Sequence, residues 1–461
     1  MTTELLAADV SLLHGWAPIT VQAVAAALLV LVVGRRSRRW WTVWVPAAVA
    51  VGVVVAVLVR WYIVDQGLTG DPPPVMLWVW VGLAGAAIAV LALGWRDLRW
   101  WRRVVAVLAI PMAVLCAAVV LNQWLAYLPT VSAAWDRLTG APVRGSTNES
   151  DVARMQKEGV RPTDGTMVTV KIPDAASGFK HRDELVWLPP AWFSSNPPPK
   201  LPVIVMIHAE FGHPSDWIVG SDAQKTLDDF AAKHGGNAPV VVFLDAGGAF
   251  QNDTECVNGP RGNAADHITK DVVPYLKSHF GVSNDPANWG IVGWSSGGTC
   301  SVMLTAKYPE LFGAFIDIDG QKGPFAGSKD QTIARLFNGN ADAWAEFDPR
   351  TIMAKHGRYT GVSGYFAVSK DTPVIYRNGS GNGQPPAELD EEANVLNALA
   401  TADYMCSLAD SYGIECAVVP HNGGHDFKNA GVVFRDALPW LAGRIGTPGV
   451  PKTPLPGAPP A

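Results

Sequence analysis

Four long apolar runs occupy the first quarter of the chain, and shorter apolar runs alternate with amphipathic ones through the rest. The long runs are Trp16–Gly34, Thr42–Val59, Val75–Trp95 and Val104–Leu121, and none carries a charge in its interior. A helix needs about 20 apolar residues to cross the hydrocarbon of a bilayer. A helix on a soluble protein keeps a polar face, and these runs have none. The pattern predicts four membrane spans within residues 1–123. A cleavable signal peptide fits poorly, since no basic region precedes the first run and Arg35, Arg36, Arg38 and Arg39 follow it.

Residues 124–165 read as a polar connector with Pro129, Pro142 and Gly145. Residues 166–446 then alternate strand and helix patterns. Strands are expected at Met167–Ile172, Glu184–Leu188, Leu201–Ile207, Val240–Leu244, Trp289–Gly293, Ala314–Ile318, Tyr365–Val368 and Cys416–Val419. Helices are expected at Asp222–His234, His267–Phe280, Thr299–Lys307, Glu388–Tyr412 and Gly431–Arg444. The first two strands suit an antiparallel start. Continuous apolar strands separated by helices indicate a mostly parallel, doubly wound sheet covered on both faces. Six prolines between Pro448 and Pro460 mark residues 447–461 as a disordered tail.

Charge placement refines the membrane half. The loops after the first and third spans hold Arg35, Arg36, Arg38, Arg39 and Arg96, Arg99, Arg102, Arg103. The loop between the second and third has Asp65 and Asp71, with Arg60 at the span edge. The positive-inside rule puts the arginine-rich loops in the cytoplasm, and the N-terminus and residues after span four outside. This predicts a multi-pass plasma-membrane protein whose larger domain is extracytoplasmic. Tryptophans 16, 40, 41, 61, 78, 95, 100, 101 and 124 sit at span edges as an interfacial belt does. No acid, lysine or histidine lies inside a span, so an anchor or small bundle is favoured over a transport path. The net charge of −5 shows no nucleic-acid footprint.

Four of five cysteines, Cys256, Cys300, Cys406 and Cys416, lie in the outer half. An oxidising compartment permits two disulfides among them, with three connectivities. Cys256–Cys300 and Cys406–Cys416 is the expected pairing. No pair has zinc-site spacing, and neither metal nor cofactor is expected.

The chemistry concentrates at Gly293-Trp294-Ser295-Ser296-Gly297-Gly298, between an apolar strand and a helical run. This G-x-S-x-G pattern reads as a nucleophile elbow, whose serine sits on a strained turn that tolerates almost no side chain two residues away. Ser295 has glycine on both sides at that spacing; Ser296 does not. A plain Gly/Ser turn is the inert alternative. The amide of Ser296 is one expected oxyanion donor, and an amide of Glu210 or Phe211, in the loop His208–Gly212, the other. His208 is either a structural strand-end residue or one that orients this loop.

In this architecture the base follows the last strand. His425, after the Gly423-Gly424 turn and before the final helix, is the expected base, with His421 as a loop or substrate-side residue. The acid is expected after the strand Tyr365–Val368, where Asp371 stands; Glu388 and Asp390 are its rivals. The acids Glu388 to Glu392 also suit the ordinary role of first-turn charges on a helix dipole.

The elbow, the run Thr299-Cys300-Ser301 followed by Tyr308-Pro309-Glu310-Leu311-Phe312, and the segment Gly423-Gly424-His425-Asp426-Phe427 resemble the esterase-D and antigen-85 (mycolyltransferase-like) branch of the α/β-hydrolases, over Met167 to Arg444. With the Ala/Val/Trp-rich spans, the chain looks like a membrane-anchored esterase of actinobacteria. The resemblance implies a four-helix transmembrane region followed by an α/β-hydrolase domain with serine ester chemistry. Antigen-85 proteins take their acid from a glutamate in the following helix region, which keeps Glu388 open, and Gly381-Asn382-Gly383-Gln384-Pro385 resembles their sequence near it. They lack four spans, which counts against trehalose mycolyl transfer.

The expected function is an outward-facing, membrane-tethered serine ester hydrolase acting on acyl esters, lipid or envelope esters first, through an acyl-enzyme. Its alternatives are acyl transfer to an envelope acceptor and a non-catalytic envelope scaffold; a sensing or transport role for the spans ranks lower. Between Gly320 and Ser363, Phe325, Phe337, Trp344 and Phe347 are read as packing a cap in preference to lining an acyl site.

Overall fold

A computed structural model describes residues 10–34, 37–67, 72–95 and 100–459, and the chain divides into two compact units, 1–141 and 142–461. The first unit holds four helices long and apolar enough to cross a membrane: Trp16–Val33, Trp40–Asp65, Val75–Gly94 and Trp100–Leu125. The second and fourth run to 26 residues, past the charge-free cores expected for them. Small residues fill the interior: Ala25, Ala106, Ala109, Ala113 and Cys116 are fully buried. Large apolar side chains face out, with Val53, Val57, Leu58 and Val114 more than half exposed. That inverts a soluble bundle and suits helices whose surroundings are apolar. The second and third helices approach so closely that a Cβ on Gly52 would lie 2.3 Å from the Gly82 carbonyl oxygen. Arg35, Arg36, Asp71, Arg96 and Arg99, which carry part of the expected orientation, lie outside the described residues.

The second unit is built on a ten-stranded sheet. Its strands, with a small hairpin numbered in sequence, are β1 (Thr147–Asn148), β2 (Thr166–Val170), β3 (Glu184–Leu188), β4 (Val203–Ile207), β5 (Val240–Leu244), β6 and β7 (the hairpin Asn258–Gly259 and Gly262–Asn263), β8 (Trp289–Trp294), β9 (Ala314–Ile318), β10 (Ser363–Val368), β11 (Ile375–Arg377) and β12 (Glu415–Pro420). The sheet order is β1-β2-β3-β5-β4-β8-β9-β10-β12-β11. Strands β5, β4, β8, β9, β10 and β12 are parallel to their neighbours in that order, whereas β3 pairs antiparallel with both β2 and β5. All residues of β4, β5, β8, β9 and β10 are buried. This is why they read as continuous apolar runs: helices cover both faces, so no alternation survives.

Three expectations change. The run Glu388–Tyr412 is two helices, Glu391–Leu396 and Ala398–Ser411, because Asn397 leaves helical geometry (φ −139°, ψ 83°) and caps the second through its side chain. Residues 329–356, unassigned from sequence, form the short helices Lys329–Phe337, Ala341–Ala345 and Pro349–His356. The Pro-rich segment expected to be disordered packs on the domain up to residue 459: Leu455 is buried and the Thr447 N–H bonds the Ala442 carbonyl. One well-placed leucine anchors a segment whose composition alone points to disorder.

Both expected disulfides are present. Cys256–Cys300 ties the loop after β5 to the helix Ser296–Lys307 and closes 44 residues of chain. Loop-closure entropy gives such a link about 4 kcal/mol at most. The double change Cys256→Ser, Cys300→Ser is expected to lower the melting temperature of the second unit by several degrees, read by calorimetry; an unchanged value contradicts the staple. Gly52→Leu is expected to loosen the second and third helices by about 1–3 kcal/mol, read as earlier thermal aggregation in detergent.

Candidate active site

The centre of the site is the turn out of β8. Ser295 sits at φ 58°, ψ −123°, a backbone region that side-chain-bearing residues avoid. The turn closes only because its neighbours are glycines. A Cβ on Gly293 would lie 1.9 Å from the Gly297 carbonyl oxygen. One on Gly297 would lie 2.6 Å from the Ile207 oxygen, and one on Gly298 2.2 Å from Asp317 Oδ1. The Ser295 N–H donates to the Ile318 carbonyl at 2.8 Å, and the helix Ser296–Lys307 starts immediately after. Ser295 is partly exposed above the sheet, and among the described residues its Oγ has no hydrogen bond to either histidine.

The acid nearest the histidines is Asp319, which sequence reasoning did not single out. It follows β9 directly, at φ 51°, and its side chain is 2% exposed. Its Oδ2 accepts from His421 Nε2 at 3.2 Å and from the Ser369 hydroxyl at 2.7 Å, and lies 3.8 Å from His425 Nδ1. Its Oδ1 accepts the Ser369 N–H at 2.9 Å. Burial pushes this carboxyl up, but the His421 hydrogen bond, the nearby imidazoles and Ser369 hold it below the usual carboxylate range. The adjacent Asp317 has only one backbone N–H, that of Gly320, against burial and the Asp319 charge, and is pushed well up. One carboxyl is shifted down and its neighbour up.

The three acids named from sequence stand elsewhere. Asp371 is exposed beyond the end of β10. Glu388 is exposed with Lys322 Nζ 4.0 Å away. Asp390 caps the helix Glu391–Leu396, accepting the Ala393 N–H at 2.7 Å. Among the described residues none of them pairs with His421 or His425. An aspartate directly after an apolar strand was the available signal for Asp319. The acid expected from sequence, Asp371, stands after β10, whereas Asp319 follows β9; the two strands are parallel neighbours whose carboxyl ends open onto the same edge.

His425 packs its ring against Trp294, with centroids 4.8 Å apart. Gly423, at φ 133°, lets the preceding turn form, since a Cβ there would meet Asn429 at 2.2 Å. Asp426 then caps the helix Phe427–Arg444 by accepting the Asn429 N–H. His421 is tied down more firmly: its N–H bonds the Val368 carbonyl, its Nε2 bonds Asp319, and its buried Nδ1 has no partner.

The loop after β4 approaches the elbow from the other side. Phe211 holds φ 58°, and among the described residues its N–H donates no hydrogen bond. Ser296 opens its helix, so its N–H has no intrahelical acceptor. Glu210 lies beside them, its carboxyl raised to about 9 by burial and the nearby Asp253 charge. His208 braces the loop: Nε2 accepts the Ala246 N–H at 3.2 Å, which leaves Nδ1–H to donate to the Ala209 carbonyl at 2.7 Å. Arg182 grips Asp245 through Nε and Nη2, at 2.9 and 2.6 Å, and its Nη2 also reaches the Gly212 carbonyl at 2.9 Å.

Two further groupings stand near. His181, Glu184 and His267 place possible ligand atoms within 4.8 Å of one another. Both His181 nitrogens already face carbonyl oxygens, and His267 bridges Glu184 and Asp271. A cavity of about 280 Å³ lies beside the segment 322–332, lined among others by Phe325, Trp344, Lys329 and Arg350. Phe337 and Phe347 are buried in the core. Of the four aromatic residues named from sequence, Phe337 and Phe347 pack in the core, while Phe325 and Trp344 line the cavity, Trp344 also touching the core.

Residues 181–439 match the model of the family described as Putative esterase. An uncharacterized protein of Corynebacterium glutamicum is 30% identical over 278 residues, 59% of this chain and 60% of that protein, so the match spans less than two thirds of the relative. Among solved structures, an S-formylglutathione hydrolase from Agrobacterium tumefaciens is similar at 15% identity and a TM-score of 0.45, over 61% of this chain and 95% of that one. A ferulic acid esterase matches at 17% and 0.44, over 61% and 98%. Mycobacterium tuberculosis MPT51 matches at 17% and 0.39, over 60% and 97%. The family model covers more than half of the chain, the sheet is of the α/β-hydrolase kind, and the chain belongs to this esterase family.

Proposed function

We propose that the protein is a membrane-tethered serine ester hydrolase whose catalytic domain faces outward, with Ser295 as nucleophile, His425 as base and Asp319 as the acid that orients it. The observation that carries this reading is the elbow: a strained serine, fenced by three glycines that admit no Cβ, whose neighbour Trp294 packs on His425, one of two histidines facing one buried aspartate. Ser295 Oγ attacks the ester carbonyl carbon while its proton passes to His425. The Ser296 and Phe211 N–H groups take the developing oxyanion. The ester C–O bond breaks, His425 returns the proton to the leaving alcohol, and water releases the acid by the same steps.

His425 is favoured over His421 because its Nδ1 faces Asp319 and its Nε2 is left for the serine. His421 has spent Nε2 on the aspartate and keeps it in place. The 3.8 Å gap to His425 closes on substrate binding, as such contacts do in resting enzymes. Two disulfides support an oxidising, extracytoplasmic location for this unit. Four apolar helices would hold it at the membrane surface, which favours lipid or envelope esters as substrates.

Ser295→Ala is expected to cut kcat/KM on a short-chain naphthyl ester by about 10⁴-fold or more. Retained activity would move the nucleophile elsewhere. Asp319→Asn is expected to cost about 10³-fold, and Asp371→Asn less than about threefold, in the same assay; the reverse order would restore the acid expected from sequence. His425→Gln should approach the Ser295→Ala loss while His421→Ala retains more activity. In cells lacking the protein, lipidomics should show accumulation of an ester-linked envelope component, and an unchanged profile contradicts the lipid substrate.

A further inference from the structure

Beside the oxyanion loop lies a small, half-open cavity lined by Ser296 and Cys300 on the nucleophile helix and by residues of the loops after β4 and β5. Its floor holds three carboxyl groups, Glu210, Asp253 and Glu255. The cation against them is Arg261, whose Nη1 is 3.6 Å from Asp253 Oδ2. Glu255 is only 4% exposed, yet among the described residues its Oε2 has no hydrogen-bond donor. A buried carboxyl oxygen left bare is costly unless something else supplies the donor. Phe211 forms one wall, and Phe250, 59% exposed, packs on it with ring centroids 5.4 Å apart.

Arg261 pairs with Asp253, and among the described residues Glu255 Oε2 is left without a donor. Burial pushes all three carboxyls upward, joined by the Asp253 charge at Glu210 and by the Asp253 and Glu210 charges at Glu255, against the pull of Arg261. A cation entering here finds carboxyl oxygens ready to accept its N–H groups and an aromatic wall that favours it. The cavity offers about 20 Å³ to the centre of a water-sized group. That is about what one water needs, and an NH₃⁺ group is of similar size, whereas a trimethylammonium is not.

We propose that this cavity is a subsite for a primary ammonium group on the ester substrate, lying within a few bonds of the scissile carbonyl. The inference rests on the reading of Ser295 as the nucleophile, since Ser296 contributes both the oxyanion N–H and a wall of the cavity. The ammonium group can stand on the acyl or on the alcohol side of the ester. Either way it would select cationic esters from neutral ones of the same shape.

The test uses the full-length protein in detergent and two ester pairs. For the acyl side, 2-aminobutyryl and butyryl esters of 2-naphthol are compared; for the alcohol side, 2-aminoethyl and propyl butyrate. In one pair the amine should be preferred by at least about tenfold in kcat/KM, and its N-trimethylated analogue should lose that preference. Glu255→Gln should bring the ratio toward one, with Asp253→Asn as the second variant if the first does not fold. Ratios near one in both pairs, or a preference untouched by both variants, overturn the subsite. If no ester is cleaved, the hydrolase reading fails and the subsite is judged by binding alone. In that case n-butylammonium should raise the melting temperature above that seen with n-butanol in the wild type and not in the variants. Equal values overturn it.

Discussion

The domain is organised around the space that is missing at the start of one helix. Gly297 abuts the carbonyls of Ile207 and His208, at the end of β4, and Gly298 abuts Asp317, at the end of β9. The first turn of the helix Ser296–Lys307 is thus wedged between the ends of the two strands flanking β8. The loop after one carries the Phe211 N–H and the loop after the other carries Asp319. A methyl group at either glycine would push the first turn of the helix away from the loop bearing Phe211 or from the end of β9. The strained backbone of Ser295 persists because neighbours on both flanks hold it, which is how proteins retain such conformations at sites of chemistry.

The same crowding shifts two aspartates two residues apart in opposite directions. Asp319 is surrounded by donors and imidazoles and is shifted down; Asp317, turned into the sheet against Gly298 and Gly320, is shifted up. On the opposite flank the disulfide Cys256–Cys300 fastens the loop bearing Glu255 to the nucleophile helix. The crowded carboxyls therefore cannot drift away from the cavity they line. Arg182, gripping Asp245 and the Gly212 carbonyl together, does for the loop after β4 what Ser369 and His421 do for Asp319.

Much of this was legible from sequence, because the strongest signals are local. β3, β5 and β9 fall at the residues their apolar runs marked, and the four apolar helices and both disulfide pairs stand as read. What sequence left open depends on which strands are neighbours. Asp319 faces histidines about 100 positions later only because β9, β10 and β12 lie side by side. The break at Asn397 turns on one residue's choice between capping and continuing a helix. The packing of Leu455 is a tertiary contact inside a composition that reads as disordered. The carboxyl cluster joins Glu210 from one loop to Asp253 and Glu255 from another, and no spacing along the chain announces it.

The central claim is that the strained serine is the reacting one. Mass-spectrometric mapping of the protein after treatment with a fluorophosphonate tests it most directly. The account predicts a single adduct on Ser295, absent from Ser296 and abolished in the wild type by prior denaturation. An adduct on another residue, or none on a folded protein, would contradict it.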